Sequence, residues 1–150
     1  MAIPVLPWKG GCRCGKIRFR VDQAPLFTSV CHCRGCQLMT ASAFATTLTV
    51  PADALTVTEG EPVLGGLHGD IARHFHCDWC KSWVFTRLPA EFGAVNVRAT
   101  MLDDPSWFVP FAEMQTAEKL PWVATSARRS FERFPEPTDY PVLIEEYRTQ

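Results

Sequence analysis

Alternation of apolar and polar residues is the main regular pattern in the first hundred residues. At 15–21, Ile17, Phe19 and Val21 alternate with three basic residues, which predicts a half-buried strand with a charged outer face. Comparable segments predict further strands at 26–30, 43–50, 55–58, 71–76, 83–87 and 94–99, and one more at 108–116. The pattern therefore predicts a mainly β protein.

Helical signals are few and short. One helical turn is predicted at 36–40, and 141–147 is either a short terminal helix or a loose tail. Twelve prolines and nine glycines are spread along the chain, including a glycine-rich connection at 64–70, and favour many short elements joined by turns. No internal repeat or linker divides the 150 residues, so we expect a single domain over 1–150.

Composition and charge narrow the class of function. A hydrophobic fraction of 47% is ordinary for a globular protein, and a net charge of −1 gives no overall attraction to nucleic acid or an anionic membrane. No run approaches the roughly 18 apolar residues of a membrane span, and the N-terminus lacks the features of a signal peptide. We therefore expect a cytoplasmic protein, whose reducing surroundings disfavour structural disulfides between its seven cysteines.

Two cysteine pairs, Cys12 with Cys14 and Cys77 with Cys80, have the spacing of zinc half-sites. Each pair presents two sulfurs from a tight turn, and four thiolates complete the tetrahedral shell of a closed structural zinc site. Two buried pairs of free thiols are the alternative.

Three further cysteines, Cys31, Cys33 and Cys36, lie within six residues. Three thiolates packed so closely repel one another unless a cation lies between them, and three sulfurs leave one zinc position open for chemistry. Spacing alone also permits this trio to share ligands with the two pairs. Possible additional ligands are His32, His74 and His76.

The ordered motifs Gly11-Cys12-Arg13-Cys14-Gly15, Cys31-His32-Cys33-Arg34-Gly35-Cys36, Ser42-Ala43-Phe44 and Cys77-Asp78-Trp79-Cys80 resemble one family. It is the glutathione-dependent formaldehyde-activating enzyme family, whose domain also occurs in centromere protein V. The resemblance covers about residues 8–125 and leaves 126–150 as a C-terminal extension. It implies an Mss4-like β-tent of antiparallel sheets built around a structural zinc on Cys12, Cys14, Cys77 and Cys80, with a labile catalytic zinc on Cys31, Cys33 and Cys36.

The activity implied by the resemblance is addition of glutathione to formaldehyde, which is a carbon–sulfur lyase reaction in reverse. The sequence departs from the usual family pattern at Gln37–Ser42, which follow Cys36, and at Lys81, where glycine is usual. It departs again at Glu113-Met114-Gln115, where a His-x-Trp-type segment is usual. Because glutathione carries two carboxylates, cations that could bind it are Arg34, Lys119, Arg128 and Arg129. Pocket walls could come from Trp79, Trp83 and Trp122, and hydrogen bonds to sulfur or substrate from Thr40, Ser42 and Asp78.

The leading hypothesis is a zinc-dependent carbon–sulfur lyase or thiol-adduct synthase. Its partners are a small thiol such as glutathione and a small aldehyde, and a homodimer is the candidate assembly. A zinc ion with three thiolates carries a net charge of −1, which favours delivery of a substrate thiolate over strong activation of a carbonyl. The alternatives are a non-catalytic zinc-fold module that binds a protein and, less favoured, a cysteine-based redox enzyme.

Overall fold

The computed structural model describes residues 2–67 and 69–150. They group into two compact units, the first formed by the chain up to Pro25 and by Thr49–Phe108, the second by Leu26–Leu48 and Val109–Gln150. The predicted glycine-rich connection at 64–70 includes His68, which lies outside the described residues. The assignment of 1–150 to one domain stays a prediction.

Short strands dominate the described residues, and the mainly β prediction is confirmed. The strands are β1 (Trp8–Gly11), β2 (Arg18–Val21), β3 (Phe27–Cys31), β4 (Ala45–Pro51), β5 (Leu55–Glu59), β6 (Val63–Leu64), β7 (Arg73–His76), β8 (Trp83–Arg87), β9 (Ala94–Val97), β10 (Ala112–Met114) and β11 (Arg129–Ser130). The α-helices are α1 (Arg34–Thr40) and α2 (Asp139–Arg148). Neither described helix has the length and apolar character needed to cross a membrane.

One sheet of the first unit is antiparallel, with the order β1-β2-β5. Phe19 and Val21 of β2 are almost fully buried, as their alternation predicts. Gly10 of β1 is opposite Phe19, and a Cβ atom at Gly10 would lie 2.4 Å from both the Phe19 ring and the carbonyl oxygen of Met101. The glycine is therefore required by the close approach of its neighbours, and β1 leads directly into Cys12.

The first unit also contains the antiparallel series β9-β8-β7-β6. Phe75 of β7 stacks on Phe85 of β8, with 5.0 Å between the ring centroids. Strand β8 has the predicted bounds, whereas β7 begins two residues later than predicted. Its end at His76 delivers the chain to Cys77.

In the second unit, β10 lies parallel to both β3 and β11, so the protein combines antiparallel pairing with parallel pairing of short strands. All five residues of β3 are buried, and β3 ends at Cys31. The predicted strand at 108–116 shortens to β10 because Phe108 belongs to a turn, donating its N–H to the Pro105 carbonyl, and Pro110 has no N–H to donate.

Helix α2 supplies part of the second unit's core. Leu143 is 1% exposed and packs in one cluster with Phe27, Phe111, Met114 and Cys31. Of the two alternatives at 141–147, the structure therefore has the helix, because burial of its apolar face stabilises a segment too short to be helical alone. The C-terminal extension is thus part of the unit that holds the cysteine trio.

Candidate metal centres

Two tight turns of the first unit bring four cysteines together. Cys12 accepts at its carbonyl the N–H of Gly15 over 3.0 Å, which folds the chain so that Cys14 turns back beside it. The second turn is closed by the N–H of Lys81, which donates to the Cys77 carbonyl over 3.0 Å and brings Cys80 close to Cys77. The four sulfurs, from Cys12, Cys14, Cys77 and Cys80, all lie within 4.8 Å of one another.

The sulfur spacing fits a tetrahedral metal ion. The Sγ atom of Cys14 lies 3.5 Å from that of Cys12 and 3.7 Å from that of Cys77. Four sulfurs at the usual zinc–sulfur bond length are separated by roughly 3.8 Å in a tetrahedron. A disulfide requires a sulfur–sulfur distance near 2.05 Å, so these cysteines are free thiols in an arrangement that could hold an ion.

The surroundings of the four-cysteine cluster lower the pKa of one cysteine and raise that of another. Burial opposes ionisation of Cys80, but hydrogen bonds from Ser82 outweigh it and lower the pKa of Cys80 to about 5. The Lys16 N–H favours the thiolate of Cys14, but burial and the three neighbouring sulfurs raise the pKa of Cys14 to about 11. The cluster therefore cannot carry four thiolates by itself, and a cation would remove the repulsion.

Lys81 occupies the strained position of the second turn. Its φ of +60° is in the left-handed region, where a Cβ atom crowds the backbone and glycine is favoured. The residue that departs from the family pattern thus has the conformation that glycine adopts easily. Its Nζ atom pairs with Asp78 over 2.8 Å at the surface.

The cysteine trio lies where β3 passes into α1. Cys31 is the last residue of the strand, Cys33 is the N-cap of the helix, and Cys36 lies in its first turn. The N–H of Cys36 donates to the Sγ atom of Cys33 over 3.3 Å. The three sulfurs lie within 4.8 Å of one another, and within the described residues no other cysteine, histidine or carboxylate joins this cluster.

The trio differs from the four-cysteine cluster in exposure and in donor number. Cys31 is buried, whereas Cys33 and Cys36 are half-buried and reach solvent. Hydrogen bonds from the other two thiols lower the pKa of Cys33 and correspondingly raise the pKa of Cys31 and of Cys36. The trio therefore offers an incomplete set of soft donors that could hold a metal ion with one position left over.

A buried carboxylate, Glu113, lies beside the trio, and sequence reasoning had named it only as a departure from the family pattern, without a functional role. Glu113 of β10 is 7% exposed. Burial opposes its ionisation, but hydrogen bonds from Lys119, Ser130, Thr125 and His32 outweigh that effect and hold the pKa of Glu113 near 2. A charged residue between apolar neighbours in a short strand was the available signal, since such a residue is buried only with partners.

The cations proposed to bind substrate carboxylates divide into two groups. Lys119 pairs with Glu113 over 2.8 Å, and Arg129 pairs with Glu146, so both already have carboxylate partners within the protein. Arg34 and Arg128 are exposed. Arg34 is the first residue of α1 and directly follows Cys33, and its guanidinium contacts the side-chain oxygen of Gln37 over 3.2 Å.

The other proposed site residues have varied surroundings. Trp83 is buried beneath Arg98, with 4.2 Å from the guanidinium carbon to the ring centroid, whereas Trp79 and Trp122 are about three-quarters exposed. His76 stacks against Trp83 and is not in either sulfur cluster. Thr40 donates to the Cys36 carbonyl over 2.7 Å.

Sequence comparison identifies the family. Residues 7–118 match the family described as "Glutathione-dependent formaldehyde-activating enzyme". A crystal structure of a Rhodobacter sphaeroides protein from structural genomics has a similar fold, with a TM-score of 0.53, 21% identity, and coverage of 63% of this chain and 87% of that chain. No curated protein sequence matches the chain significantly. Because the family match covers most of the chain and all seven cysteines, the protein belongs to the glutathione-dependent formaldehyde-activating enzyme family.

Proposed function

We propose that the protein is a zinc-dependent carbon–sulfur lyase that joins a small thiol to a small aldehyde, with glutathione and formaldehyde as the candidate pair. The observation that carries this proposal is the cysteine trio, three clustered sulfurs of which two reach solvent. Membership of the family supports the choice of substrates. The four-cysteine cluster, with its saturated donor set, has the structural role in this proposal.

Each set of cysteines fits zinc by chemistry and by spacing. Cys12, Cys14, Cys77 and Cys80 would hold one ion, and Cys31, Cys33 and Cys36 a second. A zinc ion held by these three cysteines would supply Lewis acidity that favours the thiolate form of an incoming thiol. Cys33, the N-cap of α1, and Cys36, three residues later, lie on the same side of the helix, and both are partly exposed to solvent.

The proposed reaction balances without an oxidant or a reductant. The thiol sulfur forms a bond to the aldehyde carbon, the carbonyl double bond becomes a single bond, and the thiol proton ends on the aldehyde oxygen. The product is an S-hydroxyalkyl adduct of the thiol, a hemithioacetal, and the same steps in reverse cleave the carbon–sulfur bond. The chain's contribution is to gather the sulfurs and to orient the thiol.

Arg34 supports glutathione as the thiol. It is exposed beside Cys33 and offers planar N–H donors suited to a carboxylate. Lys119 and Arg129 are paired within the protein, so we assign the recognition of a substrate carboxylate to Arg34, with Arg128 as a further exposed cation.

Zinc content and exchange kinetics test the proposal together. We expect two zinc ions per chain in the wild type and one in Cys36→Ser, which should remain folded. Exchange between glutathione, formaldehyde and their adduct is measured by NMR at equilibrium, and the rate of the uncatalysed addition is subtracted. We expect the wild type to exceed this background and Cys36→Ser to fall to it.

Other outcomes identify the alternatives. Two zinc ions without exchange above background would support a non-catalytic zinc-fold binding module. One zinc ion, together with peroxide-dependent turnover of a thiol reductant, would support a cysteine-based redox enzyme. Equal exchange by the wild type and Cys36→Ser would remove the trio from the reaction.

A further inference from the structure

The Glu113 carboxylate accepts hydrogen bonds from four side chains. Its Oε2 atom accepts hydrogen bonds from His32 over 3.0 Å, Lys119 over 2.8 Å and Thr125 over 2.9 Å. Its Oε1 atom accepts from the Ser130 hydroxyl over 2.7 Å. Because these donors come from separate segments of the second unit, the carboxylate fixes several segments at one point.

The hydrogen bond to Glu113 also orients the His32 ring. An ionised carboxylate only accepts hydrogen bonds, so Nε2 of His32 carries the hydrogen in this pair. The ring is 0% exposed, and within the described residues its Nδ1 atom has no hydrogen-bond partner. An edge contact with Phe44, at 5.7 Å between centroids, supports the ring from another direction. The polar contact to Glu113 therefore determines how the ring is turned.

His32 lies between two members of the trio, and hydrogen bonds hold its backbone as well as its ring. The His32 N–H donates to the Met114 carbonyl over 3.0 Å, and the Gln37 amide donates to the His32 carbonyl over 2.8 Å. His32 lies between Cys31, the last residue of strand β3, and Cys33, whose φ of −59° and ψ of 151° are those of an extended residue. In an extended chain, successive side chains point to opposite sides. Anchoring the ring of His32 on one side therefore directs the sulfurs of Cys31 and Cys33 to the other.

We propose that Glu113 is a positioning residue for the cysteine trio, and that it acts through the His32 ring to set how Cys31 and Cys33 present their sulfurs to a metal ion. This inference rests on the proposed function, because it requires the trio to bind metal. It assigns a role to a carboxylate that is not itself a metal ligand. The role resembles that of outer partners at other metal sites, whose loss weakens metal binding 10–100-fold.

Cobalt binding tests the inference without an activity assay. Co²⁺ is titrated into protein from which a chelator has removed the labile ion, and binding is followed by the visible bands of tetrahedral cobalt. Glu113→Gln should weaken binding at the trio at least 10-fold and alter those bands. Glu146→Gln makes the same chemical change at a carboxylate whose side chain pairs with Arg129 and not with His32, and it should stay within two-fold of the wild type.

A second variant and a double variant identify the route. His32→Phe keeps an aromatic ring but removes the donor, so it should weaken cobalt binding to a similar degree, and it tests the link even if Glu113→Gln does not fold. If Glu113 acts through His32, the double variant should lose no more than the stronger single variant. If the fold-losses in cobalt affinity of the two single variants multiply in the double variant, Glu113 does not act through His32.

The outcomes separate the inference from the proposed function. If the wild type and Cys36→Ser bind the same amount of cobalt, the trio does not bind metal. Both the proposed function and the positioning role of Glu113 are then overturned. If the wild type binds more cobalt than Cys36→Ser, and the folded Glu113→Gln and His32→Phe variants bind it equally well with unchanged bands, only the positioning role is overturned.

Discussion

The Sγ atoms of Cys14 and Cys77 lie 3.7 Å apart, although 63 positions separate the two residues in the chain. Closing a segment of that length costs conformational entropy, and a thiol–thiol contact is too weak to offset it. A metal ion bound by both half-sites would stabilise this closure.

Removal of metal from the four-cysteine cluster should therefore destabilise the protein. We expect a strong chelator to lower the unfolding temperature, and Cys77→Ser to lower the free energy of unfolding by more than about 4 kcal/mol. Cys33→Ser makes the same chemical change in the trio and should have a much smaller effect. Equal unfolding temperatures with and without chelator, in protein shown to have lost its metal, would contradict a structural role.

Replacement of Lys81 by glycine should stabilise the second cysteine turn. The φ of +60° is unfavourable for lysine and easily adopted by glycine, so Lys81→Gly should raise the free energy of unfolding by about 1 kcal/mol. Lys81→Ala is the matched control, since it removes the same charge and keeps the strain. Urea unfolding of the two variants measures the difference, and Lys81→Gly no more stable than Lys81→Ala would refute the strain argument.

Lowering the pH should reduce the free energy of unfolding, because it protonates Glu113. Its pKa is lowered from 4.5 to about 2 by folding, so its contribution to stability is fully present above the unfolded value of 4.5 and is lost as the pH falls toward 2. The shift corresponds to a contribution on the order of 3 kcal/mol. The difference in unfolding free energy between wild type and Glu113→Gln should therefore shrink as the pH is lowered from 6 to 2. A constant difference over this range would show that the carboxylate is not stabilised in its ionised form.

Leu143 should be essential to the second unit. Leu143→Ala removes a fully buried side chain of α2 and should cost about 2–5 kcal/mol of stability. Val142→Ala changes the adjacent residue of the same helix, which is 54% exposed, and should cost less than about 0.5 kcal/mol. Urea unfolding followed by circular dichroism compares them, and similar losses would mean that α2 is not held by its buried face.

Arg34 should distinguish thiols by their carboxylates. We expect Arg34→Ala to raise the KM for glutathione about five-fold, in line with an exposed ion pair, and to leave the KM for 2-mercaptoethanol unchanged. Arg148→Ala removes an exposed cation from the end of α2 and should affect neither substrate. Parallel changes for both thiols would assign Arg34 to folding of the helix instead of substrate recognition.

The sequence predicted best the features that depend on residue types and on short spacings along the chain. Strand β8 could be predicted with its exact bounds because its neighbours along the chain contain clear turn signals, and the two groups of cysteines could be proposed from spacing. Strand β11 has only two residues, too few for alternation to be detected, and the second unit's parallel pairing is set by partners distant in sequence. The contact between Glu113 and His32 could not be predicted either, because 81 positions separate the two residues in the sequence.

The burial of Leu143 also bears on how this protein should be cloned and dissected. The family match ends at residue 118, whereas the side chain that completes the packing around Phe27 and Phe111 lies 25 residues further on. A fragment trimmed to the matched region would expose the apolar residues that pack with Cys31 and Leu143, and it would be prone to aggregate. Expression fragments that are meant to report on the trio should therefore retain the chain through Arg148.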